Sequence, residues 1–334
     1  MISGAAMTET TWALVLAAGD GTRLLSLTTT ESGTAIAKQF CSLRGGPSLL
    51  HEALKRAREV TSSRNICAVV AEQHRRWWES QLRSLPEGNC IVQPQNRGTA
   101  IGILLPLVRI LERDPGARIV LLPSDHHVRD EAILMRAIHR AVEALDWHFR
   151  EAILLGFLPE DADPELGYIA PGKPDGRGVL LVERFVEKPS AAEARQLIER
   201  GALWNAFITV ATGEALLALF RRRIPGIVNA MRLAVASDLL SCGETRAVVQ
   251  LYAELPCLDF SRDILQGQEH ELRVLTVPRC GWSDLGTPER VAHALRRAPL
   301  GAAADDRRAA SVPLSLASQH ERLQVAAARS GGAP

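Results

Sequence analysis

Between residues 12 and 157, short apolar runs alternate with longer stretches whose apolar residues recur at helical spacing. The runs are WALVLA, ICAVVA, CIVQ, RIVLLP and AILLGF; the longer stretches are SLLHEALKRAREV, EQHRRWWESQLRSL, TAIGILLPLVRILER and EAILMRAIHRAVEALDWHF. A run of four to eight apolar, partly β-branched residues reads as a strand buried on both faces, and apolar positions three and four apart read as the core-facing stripe of a helix. Strand, helix, strand in repetition predicts an α/β fold with a doubly wound, mostly parallel sheet of Rossmann-like type. In such a sheet, ligands gather beyond the C-terminal ends of the strands. Chemistry is therefore sought in the loops that follow those runs.

From about residue 158 to 296 the pattern is less regular and predicts a smaller, mixed α+β part. GVLLVERFVEK, ALWNAFITVA and LRVLTVP read as strands, SAAEARQLIERG as a helix, and residues 213 to 254 as one helical stretch. Its Arg221-Arg222-Arg223 run reads as a helix C-terminus meeting its own dipole. GYIAPGKP, residues 167–174, approaches a phosphate-loop pattern, but Pro174 stands where a Ser or Thr is needed, so it reads as a turn between strands. Residues 1–11 are expected to be a flexible N-terminus and 297–334 a disordered tail.

With 334 residues, 46% of them hydrophobic, the chain can bury one large core or one large and one small. A formal net charge of +1 argues against general binding to nucleic acid or to a membrane surface. No apolar run has the length or flanks of a secretion signal or membrane span, so a cytoplasmic protein is expected. The six cysteines form no C-x-x-C pair and read as buried, reduced thiols. A homo-oligomer is compatible with all of this.

The first strand runs into LVLAAGDGTR, where Gly19, Asp20 and Gly21 break it at once. Two glycines let the backbone turn sharply and expose amide N–H groups to an anion. The dinucleotide fingerprint needs a third glycine, and Leu24 stands there, so an oxidoreductase is disfavoured. Arg23 and Lys38 read either as fixed charges wrapping a triphosphate or as solvated surface cations. The connection SLTTTESGTAIAKQF is long and polar for a strand–helix link, which points to function.

Asp125 in LLPSDHHV emerges at the end of a buried strand, as a Mg²⁺ ligand or as the N-cap of the next helix. His126 and His127 lack zinc-type partners and read as structural. Asp284 in GWSDLGTPERV is a second metal ligand or a turn residue. Glu187 and Lys188 in RFVEKPS are a sugar- and phosphate-gripping pair or a strand-end charge pair. Asn205, in the apolar strand LWNAFITVA, needs a hydrogen-bond partner, either ligand or protein.

In their order along the chain, LAAGDGTRL, KQF, QPQNRGTAIGI, LLPSDHHV, LGYI, VERFVEKP, LWNAF, DFSRDIL and GWSDLGT resemble the sugar-1-phosphate nucleotidylyltransferase family over residues 12–295. Its mannose-1-phosphate guanylyltransferase branch is the most similar. The resemblance implies that Ala17, Gly19, Gly21, Thr22, Arg97 and Thr99 bind the nucleotide, with Arg23, Lys38 and Asp125 as catalytic residues. It implies Mg²⁺ held by Asp125 and Asp284, and a sugar-phosphate pocket of Gly167, Glu187, Lys188 and Asn205. The implied reaction is in-line attack of a sugar-1-phosphate on the α-phosphorus of a nucleoside triphosphate, releasing pyrophosphate. GTP with mannose-1-phosphate is the leading pair. Another nucleotide or hexose-1-phosphate, or a catalytically silent nucleotide-sugar-binding regulator, are the alternatives.

The sequence also departs from the family pattern. Ala18 replaces a loop glycine, Ala37 a proline before the lysine, and Gly98 the asparagine after the arginine. Asn205 is followed by Ala206-Phe207 where Ser-Gly is usual.

Overall fold

The computed structural model describes residues 10–21, 24–30, 33–43, 45–240 and 246–296. Thr22, Arg23, Cys242, all but residues 10 and 11 of the N-terminal segment, and the 297–334 tail lie outside them. Nine strands form one sheet: β1 (Thr11–Ala17), β2 (Ile66–Ala71), β3 (Cys90–Gln93), β4 (Arg118–Pro123), β5 (Ala152–Phe157), β6 (Gly167–Pro174), β7 (Leu180–Glu187), β8 (Leu203–Thr212) and β9 (Leu272–Val277). Their order across the sheet is β3-β2-β1-β4-β8-β5-β9-β7-β6, and the first residues of β6 also pair with β8. β7 and β8 run against the other seven strands, so the mostly parallel character is present.

The helices are α1 (Leu49–Val60), α2 (Gly98–Arg113), α3 (Glu131–Ala144), α4 (Ala191–Glu199), α5 (Gly213–Arg223), α6 (Pro225–Leu240), α7 (Arg246–Glu254) and α8 (Pro288–Arg296). Side-chain oxygens start four of them: Ser48, Asp130, Ser190 and Thr212 accept from His51, Ile133, Glu193 and Ala215 backbone amides. These caps satisfy donors that the first helical turn leaves without partners. Asp130, not Asp125, therefore caps α3.

The period-two alternation of β1 shows how the layers arise. Ala13, Val15 and Ala17 pack into one core with α1 and α3, whereas Trp12 and Leu14 pack into a second core with α2 and α5. Side chains alternate across the pleat, and both faces are covered, so every position from Trp12 to Ala17 is apolar. A third, small cluster joins Leu24, Leu49 and Leu285 to Val291 and Ala294 of α8.

Three expectations need correction. Residues 72–85 form a short 3₁₀ turn and one helical turn (Arg75–Trp78), not a full helix. The Trp78 indole donates to Ala71 O, which holds the segment against the end of β2. GYIAPGKP is strand β6, not a turn; its pairing with β7 becomes irregular at Pro171 and Pro174, which have no N–H to give. The stretch 213–254 is three helices, the first break falling at Ile224-Pro225. Of the cysteines, Cys41, Cys67 and Cys280 are buried and free as expected, but Cys257 is exposed.

The order β3-β2-β1-β4 reverses between β1 and β4, so their following loops diverge and leave a crevice at the C-terminal edge. From the other side β8 lies between β4 and β5, bringing elements of the second half of the chain to the same crevice.

Candidate active site

A cavity of about 420 Å³ opens at this crevice. Its wall includes Gly19, Lys38, Thr99, Asp125, Gly167, Glu187, Lys188, Asn205 and Asp284, residues drawn from both halves of the chain. Nine positions proposed from sequence thus meet in one space.

The loop after β1 is held from three directions. Gln39 Nε2 donates to Ala17 O (3.1 Å) and Gly19 O (2.7 Å), which fixes the carbonyls of the glycine turn. Asp20 accepts from Gln73 Nε2 and from Asn96 Nδ2, both at 2.8 Å, which ties the turn to the segments after β2 and β3. Gly21 has φ 63°, and a Cβ there would come within 2.8 Å of Lys38 N, so a side chain is excluded by conformation and by space. Ala17 and Gly21 shape the loop without lining the cavity.

Lys38 sits in the 3₁₀ turn Lys38–Phe40 and is buried. Its ammonium donates to Asp284 O (2.5 Å) and pairs with Asp125 (3.1 Å). The loop after β4 is tied to β1 by Ser124 Oγ, which donates to Leu16 O (2.6 Å). His127 and Ser283 exchange two backbone hydrogen bonds at 2.9 Å, which brings the Asp125 and Asp284 loops side by side. Burial works against the charge on Asp125, but Lys38 and His126 beside it hold the carboxyl below its usual range. Asp284 behaves alike: burial is outweighed by Arg290, whose guanidinium donates to its carboxylate at 2.6 Å.

His126 is pushed down to about 4, chiefly by burial, with Asp125 opposing the shift. It is neutral at pH 7. The Trp282 indole donates to its Nδ1 (3.3 Å), which assigns the proton to Nε2, the nitrogen 3.6 Å from Asp125.

On the opposite wall Gly167 is paired directly with Glu187 of β7 and with Asn205 of β8. A Cβ on Gly167 would lie 2.5 Å from Glu187 Oε2 and 3.3 Å from Asn205 Cβ. All three positions therefore face the same way, the glycine leaving a floor between two polar side chains. With neighbouring strands about 4.8 Å apart, the row spans roughly 10 Å, close to the width of one sugar ring with its hydroxyls. Burial, and then the nearby Asp259 carboxylate, push Glu187 up to about 7; Lys188 opposes this. Lys188 is exposed and pairs with Glu165 at 3.7 Å. Asn205 has protein partners: its Oδ1 accepts from Phe207 N (3.1 Å) and its Nδ2 donates to Ser261 Oγ (3.4 Å).

The N-terminus of α2 joins the two walls. Leu258 O accepts from Ala100 N (3.0 Å), Leu258 N donates to Arg97 O (3.0 Å), and Phe260 N donates to Thr99 Oγ1 (2.7 Å). Gly98, at φ 81°, permits this: a Cβ there would collide with Leu258 O. Arg97 is not in the cavity wall; its guanidinium donates to Tyr252 O (2.8 Å) and Ala253 O (3.0 Å). Gln39, Asp259, Ser261 and Trp282 also line the cavity, and the sequence alone gives them no role. DFSRDIL and KQF marked their neighbourhood, but nothing local foretold the π-helix Phe260–Leu265 that presents Ser261 and Arg262 to the cavity.

Residues 12–298 match the nucleotidyl transferase family model, and the chain belongs to that family. It is 28% identical over 282 residues to mannose-1-phosphate guanylyltransferase of Salmonella muenchen, covering 82% of this chain and 57% of that protein. It is 29% identical to the xanthan biosynthesis protein XanB of Xanthomonas campestris, with the same coverage. The chain thus spans little more than half the length of these relatives. The crystal structure described as mannose-1-phosphate geranyltransferase from Thermus thermophilus superposes with a TM-score of 0.73 at 27% identity, over 87% of this chain and 80% of that one. UDP-glucose pyrophosphorylase in complex with UDP-glucose shares the fold, with a TM-score of 0.54 at 16% identity.

Proposed function

We propose that the protein transfers a nucleoside monophosphate from a nucleoside triphosphate to a sugar-1-phosphate and releases pyrophosphate, with GTP and mannose-1-phosphate as the substrate pair and GDP-mannose as product. The observation that carries this reading is the single cavity: a glycine turn and a buried lysine at one end, and the Glu187–Gly167–Asn205 row at the other. The names of the similar proteins support the choice of mannose and guanosine.

In the reaction a phosphate oxygen of the sugar-1-phosphate attacks the α-phosphorus, a new P–O bond forms, and the bond to the β-phosphate bridge breaks in line with it. Both reactants are anions, so catalysis is positioning and charge neutralisation, with no protein nucleophile required. Ala18 and Gly19 bring the backbone of the turn to the triphosphate, and Lys38 offsets its charge. Lys188 meets the sugar phosphate, while Glu187 and Asn205 hydrogen-bond the sugar hydroxyls. Thr22 and Arg23, outside the described residues, belong to the triphosphate end in this reading. Residues 12–157 serve the nucleotide and 158–296 the sugar.

The donor set suits Mg²⁺: Asp125 and Asp284 offer hard carboxylate oxygens, each now neutralised by a cationic side chain, Lys38 or Arg290. Bound there, Mg²⁺ would supply Lewis-acid stabilisation of the charge that develops on the phosphates. Neutral His126 adds no competing charge and directs its N–H toward Asp125. No helix among the described residues is long and apolar enough to cross a membrane, and the reading places the protein in the cytoplasm with its soluble substrates.

The test is pyrophosphate release with each of the four nucleoside triphosphates against several sugar-1-phosphates, with and without Mg²⁺. Turnover is expected to be highest with GTP and mannose-1-phosphate. Turnover with a different pair overturns the substrate choice, and silence across the panel overturns the enzymatic reading.

A further inference from the structure

Among the described residues three that are not glycine adopt a left-handed backbone: Lys188 (φ 49°), Phe207 (φ 63°) and Leu285 (φ 51°). Lys188 and Phe207 line the cavity, and Leu285 follows a residue that does. A bulky residue in this region is an outlier, and such strain persists where the surrounding structure enforces it for a use.

The enforcement at Phe207 is visible. Between the pairs Leu154↔Thr209 and Gly156↔Asn205, β5 advances two residues while β8 advances four. The surplus makes a bulge, a device that re-aims side chains next to binding sites. Asn205 Oδ1 accepts from Phe207 N and locks the bulge. The ring then lies 5.7 Å from that of Phe260, which stacks at 5.6 Å on Phe220. Phe207 is half-buried and shares the cavity wall with Glu187, Asn205 and Ser261. Glycine would adopt this conformation without strain and leave the wall open. Phenylalanine instead adds an aromatic surface, anchored from behind, beside the polar side chains of Glu187, Asn205 and Ser261.

We infer that Phe207 determines specificity on the sugar side: it accepts the C–H or methyl surface of the sugar and rejects a hydroxyl presented at the same place. A hydroxyl pressed against the ring gives up water and gains no hydrogen-bond partner, whereas a C–H edge packs on the π-face. The inference rests on the proposed nucleotidyl transfer. Discrimination by one such apolar contact is about 10–200-fold.

The experiment compares the full-length protein with Phe207→Gly and Phe207→Leu. Substrates are mannose-1-phosphate and its 2-, 3- and 4-epimers at saturating nucleotide, and kcat and KM are determined for each. In the wild type, mannose-1-phosphate is expected to exceed, by about tenfold or more in kcat/KM, the epimer that turns a hydroxyl toward the ring. That ratio should collapse toward one in Phe207→Gly, through KM, and survive in Phe207→Leu, with the nucleotide KM unchanged in both. A ratio in Phe207→Gly equal to that of the wild type overturns the inference, as does a wild type that does not discriminate at any position. If the wild type turns over no pair, the proposed reaction fails. Calorimetric affinities of the same four sugar phosphates then decide the role of Phe207, and equal affinity ratios in wild type and Phe207→Gly overturn it.

Discussion

Where the loops after β1 and β3 border the cavity, the left-handed positions fall on glycine: Gly21 at φ 63° and Gly98 at φ 81°. Where it is bordered by β6, β7 and β8, they fall on Lys188 and Phe207, at φ 49° and 63°. The geometry is similar and the residues are not. At the first end a side chain would collide with backbone, as Gly98 would with Leu258 O, so the glycine serves close approach. At the second end the side chain itself is what the turn delivers to the cavity. In the proposed reading, the first end adds backbone groups to the charge of Lys38, and the second holds its ligand by side chains.

Four substitutions can break or sharpen that contrast. Asp125→Asn removes a carboxylate charge from between the two ends; kcat is expected to fall about 10²–10³-fold, with the native fold retained by circular dichroism. Wild-type turnover in this variant would remove Asp125 from metal binding. Gly98→Ala forces a Cβ into Leu258 O and should cost about 1–3 kcal/mol in urea unfolding, together with a raised nucleotide KM. An unchanged midpoint and KM would mean that the close approach at the nucleotide end is dispensable. Lys188→Ala should raise the sugar-1-phosphate KM about tenfold and leave the nucleotide KM alone. The opposite pattern would exchange the two ends.

Glu187→Gln is expected to have the smallest effect, and it depends on pH. Native Glu187 keeps its proton up to about pH 7, whereas the unfolded chain releases it near 4.5. The native state therefore binds more protons in that window, and the stability present below it is lost as pH rises toward 7. The glutamine variant lacks this loss. Between about pH 4.5 and pH 7 the wild type should lose on the order of 1 kcal/mol more stability than the variant. Parallel stability–pH curves would show that Glu187 is ionised and well solvated.

The same contrast explains what could be read from the sequence. WALVLA, ICAVVA and RIVLLP are apolar because β1, β2 and β4 are covered on both faces, and that demand is local enough to see. Gly21 marks the turn because its left-handed backbone and the closeness of Lys38 N both call for glycine. At Phe207 the sequence shows only a departure from the usual Ser-Gly after Asn205; that β8 carries a bulge there is told by its pairing with β5. Lys38, Asp125 and Asp284 stood out as charges in special loops, but Arg290 did not. It holds Asp284 and also pairs with Asp163, contacts made between distant parts of the chain. Arg97 was misleading for the converse reason: its place at the start of α2 was right, but its side chain satisfies carbonyls at the end of α7.

The position of β8 also orders events in time. When β5 has been synthesised, neither of its neighbours exists, because β8 and β9 both come later in the chain. β4 likewise has β1 on one side and waits for Thr209–Thr212 on the other. The parallel strands cannot seal early and leave the rest to be added, so the ribosome must release most of the polypeptide before the central sheet can close. Pairings this distant in sequence slow folding and keep strand edges open meanwhile. β8 joins the two parts of the sheet, and β9, the last strand made, fills the remaining place between β5 and β7, so the two ends of the cavity come into being together.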